Sequence, residues 1–214
     1  MYIPKQFEEI SVDLMHELIR AHPFATLVSH SASGLNANHI PLLLSASPSP
    51  YGTLQGHIAR ANPLFGEIAD GIETLAIFHG PDAYISPSWY ATKKETGKVV
   101  PTWNYAVVHA YGYLRVVDNA SWLRAQLDAL TDDNEAPLRE PWAVSDAPPE
   151  YIEKMMAAIV GVEIVITKLL GKWKVSQNQP TQNHASLISA LKANGLPESE
   201  AMAVLVEAGA KNNR

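Results

Sequence analysis

A mainly β fold with peripheral helices, arranged as a small antiparallel barrel, is what the sequence predicts. Three observations lead there. About six strand-like runs come early and mostly without long helices between them, which disfavours a doubly wound parallel sheet. The 214 residues are 47% hydrophobic and 18% charged, enough apolar material for one globular domain with a sizeable core. No G-x-G-x-x-G and no Walker glycine loop is present, which removes the two commonest nucleotide cradles.

Along the chain, Ser11 can cap a helix to about Ala21, with Asp13 in its first turn and Val12, Met15, Leu18 and Ile19 at helical spacing. Pro23 ends it. "FATLVSH" and "LNANHIPLLLS" read as two strands of a hairpin about Gly34, followed by a loop, "SASPSPYG". "TLQGHIA" is a third strand with Thr53, Gln55 and His57 on one face. "RANPLFGEIADG" then reads as a short helix with Asn62 as N-cap and Pro63 at the first helical position. "ETLAIFHG" and "DAYISPSWY" read as strands parted by Gly80-Pro81, and "ATKKETG" as a polar loop.

The next strand, within "GKVVPTWNYAVVHAYGYL", has an unusual division. Side chains alternate across a strand, so Trp103, Tyr105, His109, Tyr111 and Tyr113 share one face and Asn104, Ala106, Ala110 and Gly112 the other. From Asn119 the period becomes helical, with Trp122, Leu123, Leu127 and Leu130 on one face. After prolines 141, 148 and 149 a helix is expected around Tyr151 to Ala158. "IVGVEIVITKLLGKWKVSQN" then reads as a strand hairpin about Gly171, and two helices broken at Asn194-Gly195 and Pro197 finish the chain.

Composition narrows the chemistry. The chain has no cysteine, so disulfides, thiolate nucleophiles and thiolate metal sites are excluded. Lys and Arg total 16 against 22 Asp and Glu, a formal net charge of -6, which repels the phosphate backbone of nucleic acid. The clusters Lys93, Lys94, Lys98 and Lys168, Lys172, Lys174 are small and read as solvated surface, and no recognition helix carries grouped Lys or Arg. Direct DNA binding is therefore not expected. No apolar run is long enough to span a bilayer and the N-terminus is not a leader, so the expectation is a cytoplasmic protein without membrane attachment.

Among the eight histidines no pair has metal-ligand spacing, and no serine sits in a G-x-S-x-G elbow. His39 and His57 stand out because their strands can pair through a short connection; packing and ligand contact are both open for them. "GHIARANP" puts Arg60 after a strand and before a helix start, where a phosphate or a surface acid could meet its guanidinium. Trp103 and Tyr105 could lie against a flat heterocycle or fill a core or subunit interface, with Asn104 bonding a polar edge. Gln177 and Asn178 end a strand with amides able to read a ring edge.

These stretches also carry a resemblance. "MYIPKQF", "ELIRAHPFATLVS", "GLNANHIPLLL", "GHIARANP", "FHGPDAYISPSWY", "GKVVPTWNYAVVHAYG", "WLRAQLDALT" and "IVGVEIVITKLLGKWKVSQNQP" closely resemble the PaiB-like family of FMN-binding negative transcriptional regulators. The resemblance implies the FMN-binding split β-barrel of the pyridoxamine-phosphate oxidase type, as a homodimer with FMN at the subunit interface. It implies a barrel domain over residues 1–180 and a helical extension over 181–214 packed on the barrel or the partner, with no inherited function. Carried over by motif, it nominates Asn38, His39, His57, Arg60 and Asn62 beside the flavin phosphate, with Lys98, Thr102, Trp103, Asn104, Gln177 and Asn178 completing the site. Where the family pattern expects Arg after "SQN", this chain has Gln179.

Three functions follow as expectations: an FMN-binding regulatory or redox-sensing protein, whose partner is a protein or a metabolite; an FMN-dependent oxidoreductase using reduced nicotinamide; and a haem-binding or haem-degrading barrel with His39 or His57 as axial ligand.

Overall fold

The computed structural model describes residues 1–32, 34–47, 50–67 and 72–212. Pro48 and Ser49 of the expected loop, and Ile68 to Gly71 at the end of the expected "RANPLFGEIADG" helix, lie outside the described residues. The strands are β1 Glu8–Glu9, β2 Phe24–Ser31, β3 Gly34–Pro41, β4 Leu43–Ser45, β5 Thr53–Ala59, β6 Ile72–Ile85, β7 Thr102–Val117 and β8 Ile159–Lys174. The helices are α1 Val12–Ala21, α2 Pro63–Glu67, α3 Lys93–Thr96, α4 Ala120–Glu135, α5 Pro149–Ala157, α6 Thr181–Ala193 and α7 Pro197–Asn212. The sheet runs in the order β3-β2-β6-β7-β8-β5-β4, and β1 pairs with β8.

The chain forms two compact units, one of Met1–Ala21, His79–His109 and Leu170–Arg214, the other of His22–Phe78 and Ala110–Leu169. These cut the chain elsewhere than at residue 180, and α6 and α7 share a unit with the end of β8.

In the unit of His22–Phe78 and Ala110–Leu169, β2 pairs antiparallel with β3 from Phe24↔Pro41 to Ser31↔Gly34, and with β6 over Thr26–Ser29. The expected single strand "LNANHIPLLLS" is broken at Leu42, whose amide turns to the Pro23 carbonyl at 2.9 Å. The break lets β3 stay on β2 while β4 crosses to β5. Because β5 pairs with β4 and β8, His39 and His57 do not lie on paired strands, against expectation. Leu27, Leu54, Phe78, Leu114 and Ile164 are fully buried here. Each such side chain contributes about 1.5–3 kcal/mol through removal of apolar surface from water. The small face of β7 is what admits this packing: Ala110 is fully buried, and a Cβ on Gly112 would stand 2.3 Å from the Val165 carbonyl oxygen. Asn119 caps α4 by accepting from the Trp122 amide at 2.9 Å.

In the other unit, α1 buries Met15, Leu18 and Ile19 at the predicted spacing, and Ser11 Oγ accepts from the Leu14 amide. A second cluster is formed by Ile85, Tyr90, Val175, Leu187, Leu191, Met202 and Val206, tying α6 and α7 to the strand ends. Gly195, at φ +69°, makes the helix break predicted beside Pro197. The "ATKKETG" loop contains one helical turn, α3, closed by Gly97 at φ +66°.

Two predicted breaks are absent. β6 is one strand of 14 residues through Gly80-Pro81, and β8 is one strand of 16 residues through Gly171. Gly171 faces Glu9 of β1, and a Cβ there would stand 2.8 Å from the Met15 sulfur; a Cβ on Gly80 would likewise stand 2.8 Å from the Leu18 side chain. Both glycines admit a close neighbour rather than turn the chain. The β2 pairing of β6 ends at Ile77, before Pro81.

Candidate functional site

Strand alternation on β7 decides how the nominated residues are grouped. In the unit of Met1–Ala21, His79–His109 and Leu170–Arg214, a cavity of about 430 Å³ opens beside the start of β7 and the end of β8. Lys98, Thr102, Asn104 and Asn178, four of the nominated residues, line it together with Lys174, Ser176 and Asn183. Among the described residues around it two are lysines and none is acidic, so an anion meets net positive charge in a chain whose overall charge is -6. The size falls in the usual range of small-molecule sites.

Each polar group of the cleft has a structural reason for its place. Lys174 closes β8 and donates from Nζ to Thr102 Oγ1 and, at 2.8 Å, to the Trp103 carbonyl. Burial lowers its pKa, the Tyr105 phenol opposes this, and Lys172 reinforces it. Asn104, only 1% exposed, bonds Ser176 Oγ at 2.9 Å. Asn183 on α6 accepts from the Thr92 amide at 3.1 Å and donates to Gln179 Oε1 at 3.1 Å. His184, next on α6, bonds the Ser176 carbonyl at 3.0 Å.

The other two nominees of this unit are placed elsewhere. Gln177 turns back, donating from Nε2 to the Gln6 and Trp173 carbonyls and accepting from the Val175 amide; it shapes the turn. Trp103 points to the opposite face of β7, where it is 55% exposed and meets the Tyr84 ring edge-on at 6.0 Å. That face has its own cavity, of about 460 Å³, lined by Trp103, Tyr105, His79, His109 and Asp82. Burial first, then the N-terminal ammonium and His79, push the His109 imidazole down to about 4.

A pH prediction follows from His109. Its folded pKa lies below the ordinary 6.5, so between the two values the unfolded chain binds more protons than the folded one. The stability from keeping the ring neutral is present above about pH 6.5 and is lost as pH falls toward about 4. After discounting for its partial exposure, the effect is on the order of 1–2 kcal/mol. Thermal melts at pH 7 and 4.5 should show a smaller acid loss for His109→Gln than for the wild type; equal losses would assign the effect to other groups.

The remaining nominees lie in the other unit, where Asn38 and Asn62 bond each other and His57 and Arg60 bond residues outside the nominated set. Asn62 Nδ2 donates to Asn38 Oδ1 at 2.9 Å, and Asn62 Oδ1 caps α2 through the Leu64 amide. His57 Nδ1 meets Gln126 Oε1 on α4 at 2.9 Å. Arg60 forms a two-point pair with Asp118, at 2.5 and 3.3 Å, with its guanidinium 5.8 Å from the Phe65 ring centre. His39 is exposed, its ring 6.3 Å from that of Phe24.

Sequence reasoning missed Tyr90, Lys174, Ser176 and Asn183. The lysine cluster expected to be solvated is not uniform: Lys174 lines the cleft, Lys172 is 8% exposed and bonds the Tyr2 carbonyl, and Lys168 stands 4.0 Å over the Tyr111 ring. Period-two counting back from the strand end could have put Lys172 and Lys174 on one face. Ser176 stood in the quoted "SQN" block. The C-terminal extension, expected to pack only, supplies Asn183 and His184 to the cleft wall and its support.

The fold is a mainly antiparallel sheet with peripheral helices, and its cleft is rich in amides, hydroxyls and lysines. The family model described as "Putative FMN-binding domain" matches residues 1–168. The chain belongs to this FMN-binding family, and the cofactor the family assigns is FMN. A protein of Emericella nidulans is 32% identical, with 96% of each chain covered. The Bacillus subtilis protease synthase and sporulation protein PAI 2 is 30% identical, with 97% of each covered. Among solved structures, the FAD and haem binding protein of Mycobacterium smegmatis superposes with a TM-score of 0.57 at 18% identity, over 78% of this chain and 73% of that one, which is a likeness of fold. Among the described residues no helix is long and apolar enough to cross a membrane.

The cleft suits FMN on its own chemistry. Two cations without a facing carboxylate match a phosphate, and the buried Asn104 amide opening onto the cavity matches a polar ring edge.

Proposed function

We propose that this chain holds FMN in the cleft lined by Lys98, Thr102, Asn104 and Asn178, works as a homodimer, and serves as a redox-responsive regulatory protein. The observation that carries the reading is the convergence of two separate motifs, "GKVVPTWN" and "SQN", with Lys174 in one cavity whose described lining residues include no acid. Bound FMN supplies electron and hydride transfer. The chain's own residues do the rest: Lys98 and Lys174 attract and hold the anionic end, Asn104 and Asn178 orient the ligand by hydrogen bonds, and Phe7, Tyr90 and Val99 keep water from that wall.

The regulatory part is supported by the relative named for protease synthesis and sporulation, and the net charge of -6 directs it through a protein or metabolite partner rather than DNA contact. Exposed Trp103 and Tyr84, packed on each other on the outer face of β7 and β6, support a subunit interface there.

The test is an FMN titration followed by flavin fluorescence quenching, with solution mass measured in parallel and haemin as a competing ligand. Saturation at one equivalent per chain and the mass of a dimer are expected. Sustained oxidation of reduced nicotinamide by the loaded protein would turn the reading to an oxidoreductase. A haem band without FMN binding would overturn it.

A further inference from the structure

We propose that Ser176 is a positioning residue of the cleft, holding the Asn104 amide so that this amide sets ligand specificity, with Tyr90 and His184 placing Ser176 in turn; this rests on the cleft being the flavin site. Among the described residues Ser176 is the one non-glycine residue at positive φ, +61°. A left-handed serine is a strained conformation that persists where its surroundings over-determine it, and such residues gather at ligand sites.

The surroundings here are explicit. Val175, 2% exposed, anchors the chain in the apolar cluster with α6 and α7, and Gln177 closes the turn by taking the Val175 amide and the Trp173 carbonyl. His184 Nε2 lies 3.0 Å from the Ser176 carbonyl, an acceptor only, so this nitrogen carries the proton and donates. The carbonyl is thereby held from behind and the side chain is aimed forward. Its hydroxyl bonds the Asn104 amide, at 2.9 and 3.2 Å, and Tyr90 lines the same cavity. Burial raises the Tyr90 pKa, with the Ser176 bond opposing it, so the phenol stays protonated at neutral pH.

The turn itself needs only a positive φ, which glycine adopts without strain. What glycine cannot supply is the hydroxyl, which holds the Asn104 amide at the cavity wall. Asn104 has two donors and two acceptor sites; Ser176 is its hydrogen-bond partner among the described residues, which leaves an N–H and an acceptor site at the cavity wall. The wall therefore offers a paired donor and acceptor on the buried Asn104 amide. That pair recognises a flat heterocycle with alternating N–H and C=O groups on one edge, and it discriminates against rings without them.

The experiment compares wild type, Ser176→Ala, Ser176→Gly and Tyr90→Phe by titration with FMN and with riboflavin, alongside thermal melts and the spectrum of bound flavin. Ser176→Ala and Ser176→Gly should each weaken both flavins about tenfold, and by the same factor, because the Asn104 contact they misplace is to the ring and not to the phosphate. Tyr90→Phe should weaken both several-fold and add little in the double variant with Ser176→Ala. Ser176→Gly should melt above Ser176→Ala, because it also relieves the left-handed strain. Wild-type affinity and spectrum in both folded Ser176 variants would sink this inference and leave the flavin site standing. A wild type that binds neither flavin would sink both.

Discussion

Gly112→Ala should destabilise the protein by about 3 kcal/mol, the upper end of the usual cost of overpacking a core. A methyl at this position meets backbone rather than a movable side-chain tip: the Val165 carbonyl oxygen would be 2.3 Å away and its carbon 3.0 Å, with the Ile164 side chain at 2.7 Å. The Thr74 hydroxyl also donates to the Gly112 carbonyl at 3.2 Å, so the strand cannot back away without losing a buried bond. For a chain of this size the midpoint of a thermal melt should fall by roughly 6–12 °C. Gly66→Ala is the matched control, since nothing lies within 4 Å of its added Cβ and helix propensity favours alanine. Equal melting of the two variants would refute the packing account of β7.

Lys174→Met should weaken FMN binding by on the order of 10- to 100-fold, because a charge-assisted hydrogen bond is worth about 1.5–3 kcal/mol. Methionine keeps the stem and removes the ammonium, so the loss reports the charge. Lys174 is the better-placed of the two cleft lysines: it is bonded to Thr102 Oγ1 and the Trp103 carbonyl, and its lowered pKa reflects a partly desolvated charge with more to gain from an anion. Riboflavin, which lacks the phosphate, should bind Lys174→Met and wild type alike. A loss shared by both flavins would move Lys174 from the phosphate to the ring; unchanged FMN affinity would remove it from the site.

The candidate site was half legible. Lys98, Thr102, Asn104 and Asn178 were nominated by motif and meet in one cavity. Trp103 was nominated with them although alternation already placed it opposite Asn104, and the structure keeps that separation. Gln177 was nominated for its amide, which is spent on backbone carbonyls and the Val175 amide. Lys174 and Asn183 escaped notice because a lysine near a strand end and an asparagine at a helix start carry no local mark of what they will face.

Local physics was readable from the chain alone. Asn62 and Ser11 were recognisable as caps because a cap needs only a short polar side chain and the amides two or three residues on. The Asn194–Pro197 break and the small face of β7 were equally local, since φ preference and period-two alternation act between near neighbours. Strand continuity was not: Gly80-Pro81 and Gly171 look like turns until Leu18, Ala106 and Met15 are seen packed on them. The same holds for the cleft. Asn104 and Ser176 are 72 residues apart, Thr92 and Asn183 are 91 apart, and only the sheet register and the packing of α6 bring them together. A residue's chemistry is local, but what it meets is decided by contacts that no short stretch of sequence contains.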